Sequence, residues 1–179
     1  ALATLLEAQD KPEEAEAIRS EAQARRREQL YNAELDTLES LSSVAAAFED
    51  DGKLDDAEAL YRDVLGARLE RLGKSHQDTL ESAIKVASIL NDKEELEEAE
   101  ALYREVLAAR RVQLGDSHLD TLESMSDLAG VLWDADKVDD AEALFREAVA
   151  GRREQLGEGH PDTLEVQKHL AALLKEQGQ

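Results

Sequence analysis

The chain is 179 residues long, the size of one domain or of one uninterrupted repeat array. Its 21 Lys and Arg stand against 42 Asp and Glu, a formal net charge of −21, which repels nucleic-acid phosphates and anionic lipid surfaces and favours basic partners. Cysteine is absent, so disulfides, thiolate metal sites and cysteine nucleophiles are excluded. No apolar run approaches the ~18 residues of a membrane span, and the opening ALATLLEAQD lacks the basic start of a signal peptide. The expectation is a cytoplasmic chain that meets neither membrane nor nucleic acid.

Hydrophobic residues make up 42% of the chain but aromatics only 3%, so the apolar fraction is mostly Ala and Leu; with 2 Pro, the composition is all-α. Self-similarity decides the architecture. Asp-Thr-Leu-Glu recurs at Asp36, Asp78, Asp120 and Asp162, always 42 residues apart. Ala-Glu-Ala-Leu followed by Tyr or Phe and Arg keeps the same phase from Ala57, Ala99 and Ala141, as does Leu-Gly at Leu72, Leu114 and Leu156. The phase divides residues 1–179 into a partial repeat (1–35), three repeats (36–77, 78–119 and 120–161) and a final helix (162–179). Ala1 falls opposite Ser43, in mid-helix, so the chain reads as a piece of a longer array.

In chain order, the partial repeat predicts a helix over 1–9 and a second over 12–30, with Pro12 in its first turn. In the first full unit, Leu38, Leu41, Val44, Ala45 and Phe48 share one face of a helix A, which Asp51-Gly52-Lys53 breaks. Ala57, Tyr61, Val64, Leu65, Arg68 and Leu72 continue the spacing through a longer helix B, which Gly73 ends in a left-handed conformation. Each unit is therefore a helical hairpin. The next helix A starts near Ser75-His76-Gln77-Asp78, where Ser75 or Asp78 is the cap, and at the last junction Pro161 suits a first helical turn. The helix-breaking glycine recurs at Gly178 but is replaced by Glu94 and Asp136, so those two turns are expected to be made another way.

Glu58 and Arg62, Glu100 and Arg104, and Glu142 and Arg146 are spaced as helix-supporting surface ion pairs. His76, His118 and His160 share the period, but one histidine per stacked hairpin leaves them roughly 10 Å apart, too far for a common metal ion, so they belong to the turn. No phosphate loop, His-Glu-x-x-His, Gly-x-Ser-x-Gly or calcium-loop spacing occurs, and neither an enzyme nor a cofactor is expected.

Val44-Ala45, Phe48, Gly52, Ala57, Tyr61 and Val64 resemble the small and large positions of the tetratricopeptide repeat. The long helix B and the Leu-Gly-x-x-His-Pro-Asp-Thr-Leu run from Leu156 to Leu164 resemble the 42-residue repeats of kinesin light chains and of arrays attached to nucleotide-binding switch receptors. The resemblance implies a right-handed superhelical α-solenoid of antiparallel helix hairpins, with A helices lining a concave face that holds peptides or partner proteins. Kinesin light chains carry Leu-Asn-Asn-Leu-Ala in helix A; here the strings begin at Leu41, Ala83, Met125 and Gln167 and contain none of those asparagines, so the scaffold is implied without the motor-cargo ladder.

Carried onto helix A, the groove positions of the family are Glu39, Ser42, Ala46, Glu49 and Asp50, then Glu81, Ile84, Ser88, Asn91 and Asp92, then Glu123, Ser126, Gly130, Trp133 and Asp134. They form an acidic cradle for a Lys- or Arg-rich segment. Trp133, the one tryptophan, replaces Glu49, Asn91 and Lys175 of the other units and is the aromatic anchor candidate. The competing expectation is an architectural spacer or self-associating arm of a larger switch receptor or motor adaptor, pairing end to end through the apolar Leu164, Leu170, Leu173 and Leu174 of the final helix.

Overall fold

The computed structural model describes residue 13 and residues 34–178. The helices expected over 1–9 and 12–30, Pro12 with them, lie outside the described residues apart from residue 13. The chain forms two compact units, residues 1–43 and 44–179. In the first, residues 34–43 are helical and Leu38 is buried. The Ser40 and Ser43 hydroxyls donate to the carbonyls of Asp36 and Glu39, four residues back, at 2.9 and 3.1 Å.

In the second unit residues 44–50 are helical, followed by six helices: α1 (Leu54–Leu72), α2 (Gln77–Asp92), α3 (Leu96–Leu114), α4 (Leu119–Asp134), α5 (Val138–Leu156) and α6 (Pro161–Glu176). No strand occurs among the described residues. Sixteen-residue A helices alternate with nineteen-residue B helices, and each packs mainly against the helix before and the helix after it in the chain. That nearest-neighbour pattern is the mark of a repeat stack, in which no hairpin covers its apolar faces alone.

Small residues set the spacing. Ala45, Ala87 and Ala129 on the A helices and Ala57, Ala99 and Ala141 on the B helices are fully buried, and side chains ending at Cβ let the helices approach closely. Tyr61, Val64, Val86, Ile89, Leu90, Tyr103, Val106, Leu128, Val131, Leu132, Phe145 and Leu173 fill the space between. At Gly151 even a Cβ is too much, because it would stand 2.5 Å from Cδ2 of the buried Leu122. Val44 departs from the expected apolar face: it opens the second unit and is 47% exposed, whereas its counterparts Val86 and Leu128 are buried.

The turns correct two sequence expectations. Gly73, Gly115 and Gly157 end the B helices at φ +83°, +86° and +95° with ψ near 165°, the mirror-extended region open essentially to glycine, rather than in the left-handed helical well. An extended exit carries the chain straight toward the next helix A. Second, Glu94 and Asp136 do not make a different turn from Gly52. They adopt the same positive φ, +61° and +60° against +73°, and the same bonds close the helix: Lys53, Glu95 and Lys137 each donate their backbone N–H to the carbonyl five residues back at 2.8 Å. The six-to-one bond holds the backbone and leaves the side chain to bear the strain. A non-glycine residue in this well costs roughly 1–2 kcal/mol, less for Asp than for Glu. Glu94→Gly is therefore expected to raise unfolding stability by about 0.5–1 kcal/mol, and Asp136→Gly by less, in urea titrations.

Candidate functional site

The site is built from the turn outward. Gly73, Gly115 and Gly157 are each followed by a histidine three residues on, whose N–H bonds back to the glycine carbonyl at 3.3–3.4 Å. Neither Ser75 nor Asp78 is the cap. His76, His118 and His160 cap the A helices, with Nδ1 accepting from the backbone N–H of Asp78, Asp120 and Asp162 at 3.2, 3.2 and 3.3 Å. The ring nitrogen replaces the serine or aspartate oxygen of a common cap and satisfies one of the free donors of the first turn. Pro161 sits at the first position of α6, as expected.

Arginines of the B helices pin the same turns. Nη1 of Arg68 donates to the Asp78 carbonyl at 3.0 Å and to Ser82 Oγ at 2.8 Å; Arg110 repeats this with Asp120 and Ser124 at 2.7 and 2.9 Å. Arg152 reaches the Asp162 carbonyl at 3.0 Å, and Val166 stands where the serine would be. The pairs expected on the surface of helix B are more than local. Glu100 is buried and bonded to Arg104, and Lys137 from the following hairpin reaches it at 2.6 Å. Burial of its carboxylate is outweighed by Lys137 and Arg104, which hold it below the usual carboxylate range. Lys93 does the same for Glu58 at 2.6 Å while also touching Asp55 and Glu95.

Of the residues singled out on helix A, Glu39 and Ser42 belong to the first unit, exposed and half-buried respectively. In the second unit Asp50, Glu81, Asp92, Glu123 and Asp134 are exposed, and Glu49, Ile84, Ser88, Asn91, Ser126 and Trp133 are half-buried. Several are brought together across hairpins. Asn91 Nδ2 donates to Asp134 Oδ2 at 3.1 Å, and Trp133 Nε1 donates to Glu176 Oε2 at 2.9 Å, the same bond one repeat later. The Trp133 ring meets Phe145 edge-on at 6.5 Å, and Phe145 lies 5.9 Å from His169. Others are bound within their own hairpin: Glu49 accepts from the Tyr61 hydroxyl at 3.0 Å, and Ser126 donates to the Leu122 carbonyl. Burial and the Glu49 carboxylate push the Tyr61 hydroxyl up to about 12. Ile84 packs on the core.

Tetratricopeptide repeat family models match residues 37–78, 78–154 and 124–179. The chain belongs to the tetratricopeptide repeat family. Among solved structures it is similar to the nearly identical TPR-like repeats of a Podosopora anserina protein named as a kinesin light chain, at 26% identity and a TM-score of 0.74, covering 79% of this chain and 67% of that one. BtubC (BKLC) from P. vanneervenii matches at 22% identity and a TM-score of 0.71 over 99% of this chain and 70% of its own. The N-terminal domain of stress-induced protein-1 from C. elegans shares the fold at 14% identity and a TM-score of 0.54, over 76% of this chain and 95% of that one. No curated protein matches the chain. The fold class is thus the all-α tetratricopeptide solenoid of helix hairpins, of the kinesin-light-chain-like type.

Among the described residues no group of three His, Cys, Asp or Glu is placed to hold a metal ion, and no helix is long and apolar enough to cross a membrane. One titratable group of the tetratricopeptide stack escaped the sequence: Asp127 on α4, half-buried, one turn beyond Glu123. Burial first, then the Glu123 charge, push its carboxyl up to about 6, against the opposing pull of Arg110 and Arg152. A carboxyl with its folded pKa raised holds its proton longer in the folded state, so stability falls as pH rises from about 4 to about 6, and the full cost is present at pH 7. Asp127→Asn is expected to raise stability at pH 7 by about 1 kcal/mol and to bring the variant level with the parent below pH 4, measured by urea unfolding across that range.

Proposed function

We propose that the repeat stack is a protein-interaction scaffold whose concave face receives a peptide or partner segment rich in Lys and Arg. Tetratricopeptide repeats as a family mediate contacts between proteins. The observation that carries the finer reading is the exposed carboxylate near both ends of successive A helices, Glu81 and Glu123 just past the first turns and Asp92 and Asp134 at the last residues. By register alone Glu49 and Asp50 extend this row, with Ile84, Ser88, Asn91 and Ser126 between the acids and Trp133 as the aromatic wall. Charges repeated at the period of the stack draw in an extended cationic segment and turn away acidic ones.

A second reading, an architectural arm that associates end to end through α6, draws on the exposure of Leu164, Ala171 and Ala172. Trp133 emission separates the two when basic, neutral and acidic peptides are titrated at low and near-physiological salt. The scaffold reading expects saturable shifts for basic peptides alone, weakened about three- to tenfold by Asp134→Lys, the ~0.7–1.4 kcal/mol of one reversed charge, with the melting temperature unchanged. Silence toward every peptide, with a mass that grows with concentration in light scattering, would overturn it in favour of the arm.

A further inference from the structure

The stack carries its own internal control, because two interfaces between successive B helices, α1 with α3 and α3 with α5, are built from corresponding residues. Their last turns read Arg68-Leu69-Glu70-Arg71, Arg110-Arg111-Val112-Gln113 and Arg152-Arg153-Glu154-Gln155, with Arg26-Arg27-Glu28-Gln29 in the same phase upstream. Two positions break the pattern, and both exchange a charge for an apolar side chain: Leu69 stands where the others have Arg, and Val112 where the others have Glu. Both line one cavity of about 550 Å³ between α1 and α3, floored by Leu65, Leu80, Val106 and Ala109. Val112 is 88% exposed at its rim, and Leu69 is 42% exposed.

Two features explain why the cavity occurs at this interface. Between α4 and α5, Gly151 lacks a Cβ and α5 closes directly on Leu122; the corresponding pair is Ala109 and Leu80, where Ala109 adds a methyl group and both residues line the cavity. Between α3 and α5, Arg111 Nη2 bonds both oxygens of Glu147 at 3.0 and 3.2 Å. The corresponding pair here is Leu69 and Glu105. Glu105 lines the cavity with no hydrogen bond or ion pair among the described residues. At this interface the arginine is absent and the carboxylate is kept, beside the apolar Leu69 and Val112, with Lys74, Ser75 and Gln113 at the turn end of the lining.

We propose that this cavity is a docking site for a short amphipathic helix of a partner protein that presents apolar side chains beside an arginine or lysine. The apolar side chains enter between Leu69 and Val112, and the cation takes the place at Glu105 that Arg111 fills beside Glu147. The volume lies within the ~300–1,000 Å³ of binding pockets, and a groove between two B helices suits a helix whose anchors recur every three or four residues. The rim of this surface lies on the B helices and its floor includes Leu80 of α2, but none of the A-helix residues proposed above lines it.

The test uses a labelled 18-residue peptide with Leu at i, i+3, i+4 and i+7 flanked by Arg, followed by anisotropy at near-physiological salt, and the same peptide with Glu for Arg. The double variant Leu69→Arg with Val112→Glu restores the residues of the neighbouring units and leaves the net charge unchanged, so general attraction to a polyanion is held constant. The Arg peptide is expected to lose about tenfold in affinity for the double variant and about threefold for Glu105→Gln, while Asp134→Lys changes it less than twofold. Unchanged affinity for the double variant, with its fold verified by melting, would overturn the proposal. So would a loss confined to Asp134→Lys, which would put the peptide on the A-helix face, or tighter binding of the Glu peptide.

Discussion

The distance between helices at the fully buried alanines governs the second unit. Ala57, Ala99 and Ala141 recur at the period of the sequence and are fully buried, each bringing only a methyl group to the contact. Packing at that distance places Tyr61, Tyr103 and Phe145 against the neighbouring A helices and brings Arg68, Arg110 and Arg152 within reach of the first turns they pin. The histidine caps depend on the same arrangement, since the extended glycine exit delivers each ring to the start of a helix already fixed in place.

A chain this acidic is held together by where its few cations go. Lys93 and Lys137 come from different positions of the repeat, yet each reaches back to the preceding hairpin and pairs with a carboxylate on its B helix, Glu58 or Glu100. Removing such a lysine leaves a mostly buried carboxylate with only its own helix's arginine, Arg62 or Arg104, a larger loss than that of an exposed pair. The A-helix acids Asp50, Glu81, Asp92, Glu123 and Asp134 stay on the surface. The units differ from one another at a few places: Trp133 among Glu49 and Asn91, Leu69 among arginines, Val112 among glutamates.

Much of this was legible in the residues. The period, the hairpin, the small-residue positions and the core role of Arg68 follow from spacing, because every unit must satisfy the same contacts. Other features were not. Ser75 and Asp78 have conventional cap chemistry, and only the exit angle at Gly73 shows that the His76 ring reaches first. Glu94 and Asp136 lack the glycine that marks the turn, but the hydrogen bond to Leu90 or Leu132 holds the same backbone without it. Glu100 is met by Lys137 of the next hairpin, and Asp127 is faced by Arg110 and Arg152 from the helices on either side of α4, neither of which its own helix spacing shows. For the acidic row, sequence register names the residues, while the Asn91 to Asp134 and Trp133 to Glu176 bonds, which couple A helices across hairpins, required coordinates. The Leu69 and Val112 departures were visible in the aligned repeats, and the missing partner of Glu105 gives them meaning.

The central claim, that alanine-limited contact between helices holds the stack in register, is tested most directly by enlarging one such residue beside an exposed control on the same helix. Ala99 is fully buried on α3 and Ala101 is exposed, so urea unfolding of Ala99→Leu and Ala101→Leu compares one added side chain inside and outside the contact. The account predicts a loss of about 2–3 kcal/mol or more for Ala99→Leu and less than about 0.5 kcal/mol for Ala101→Leu. Equal, small effects at the two positions would contradict it.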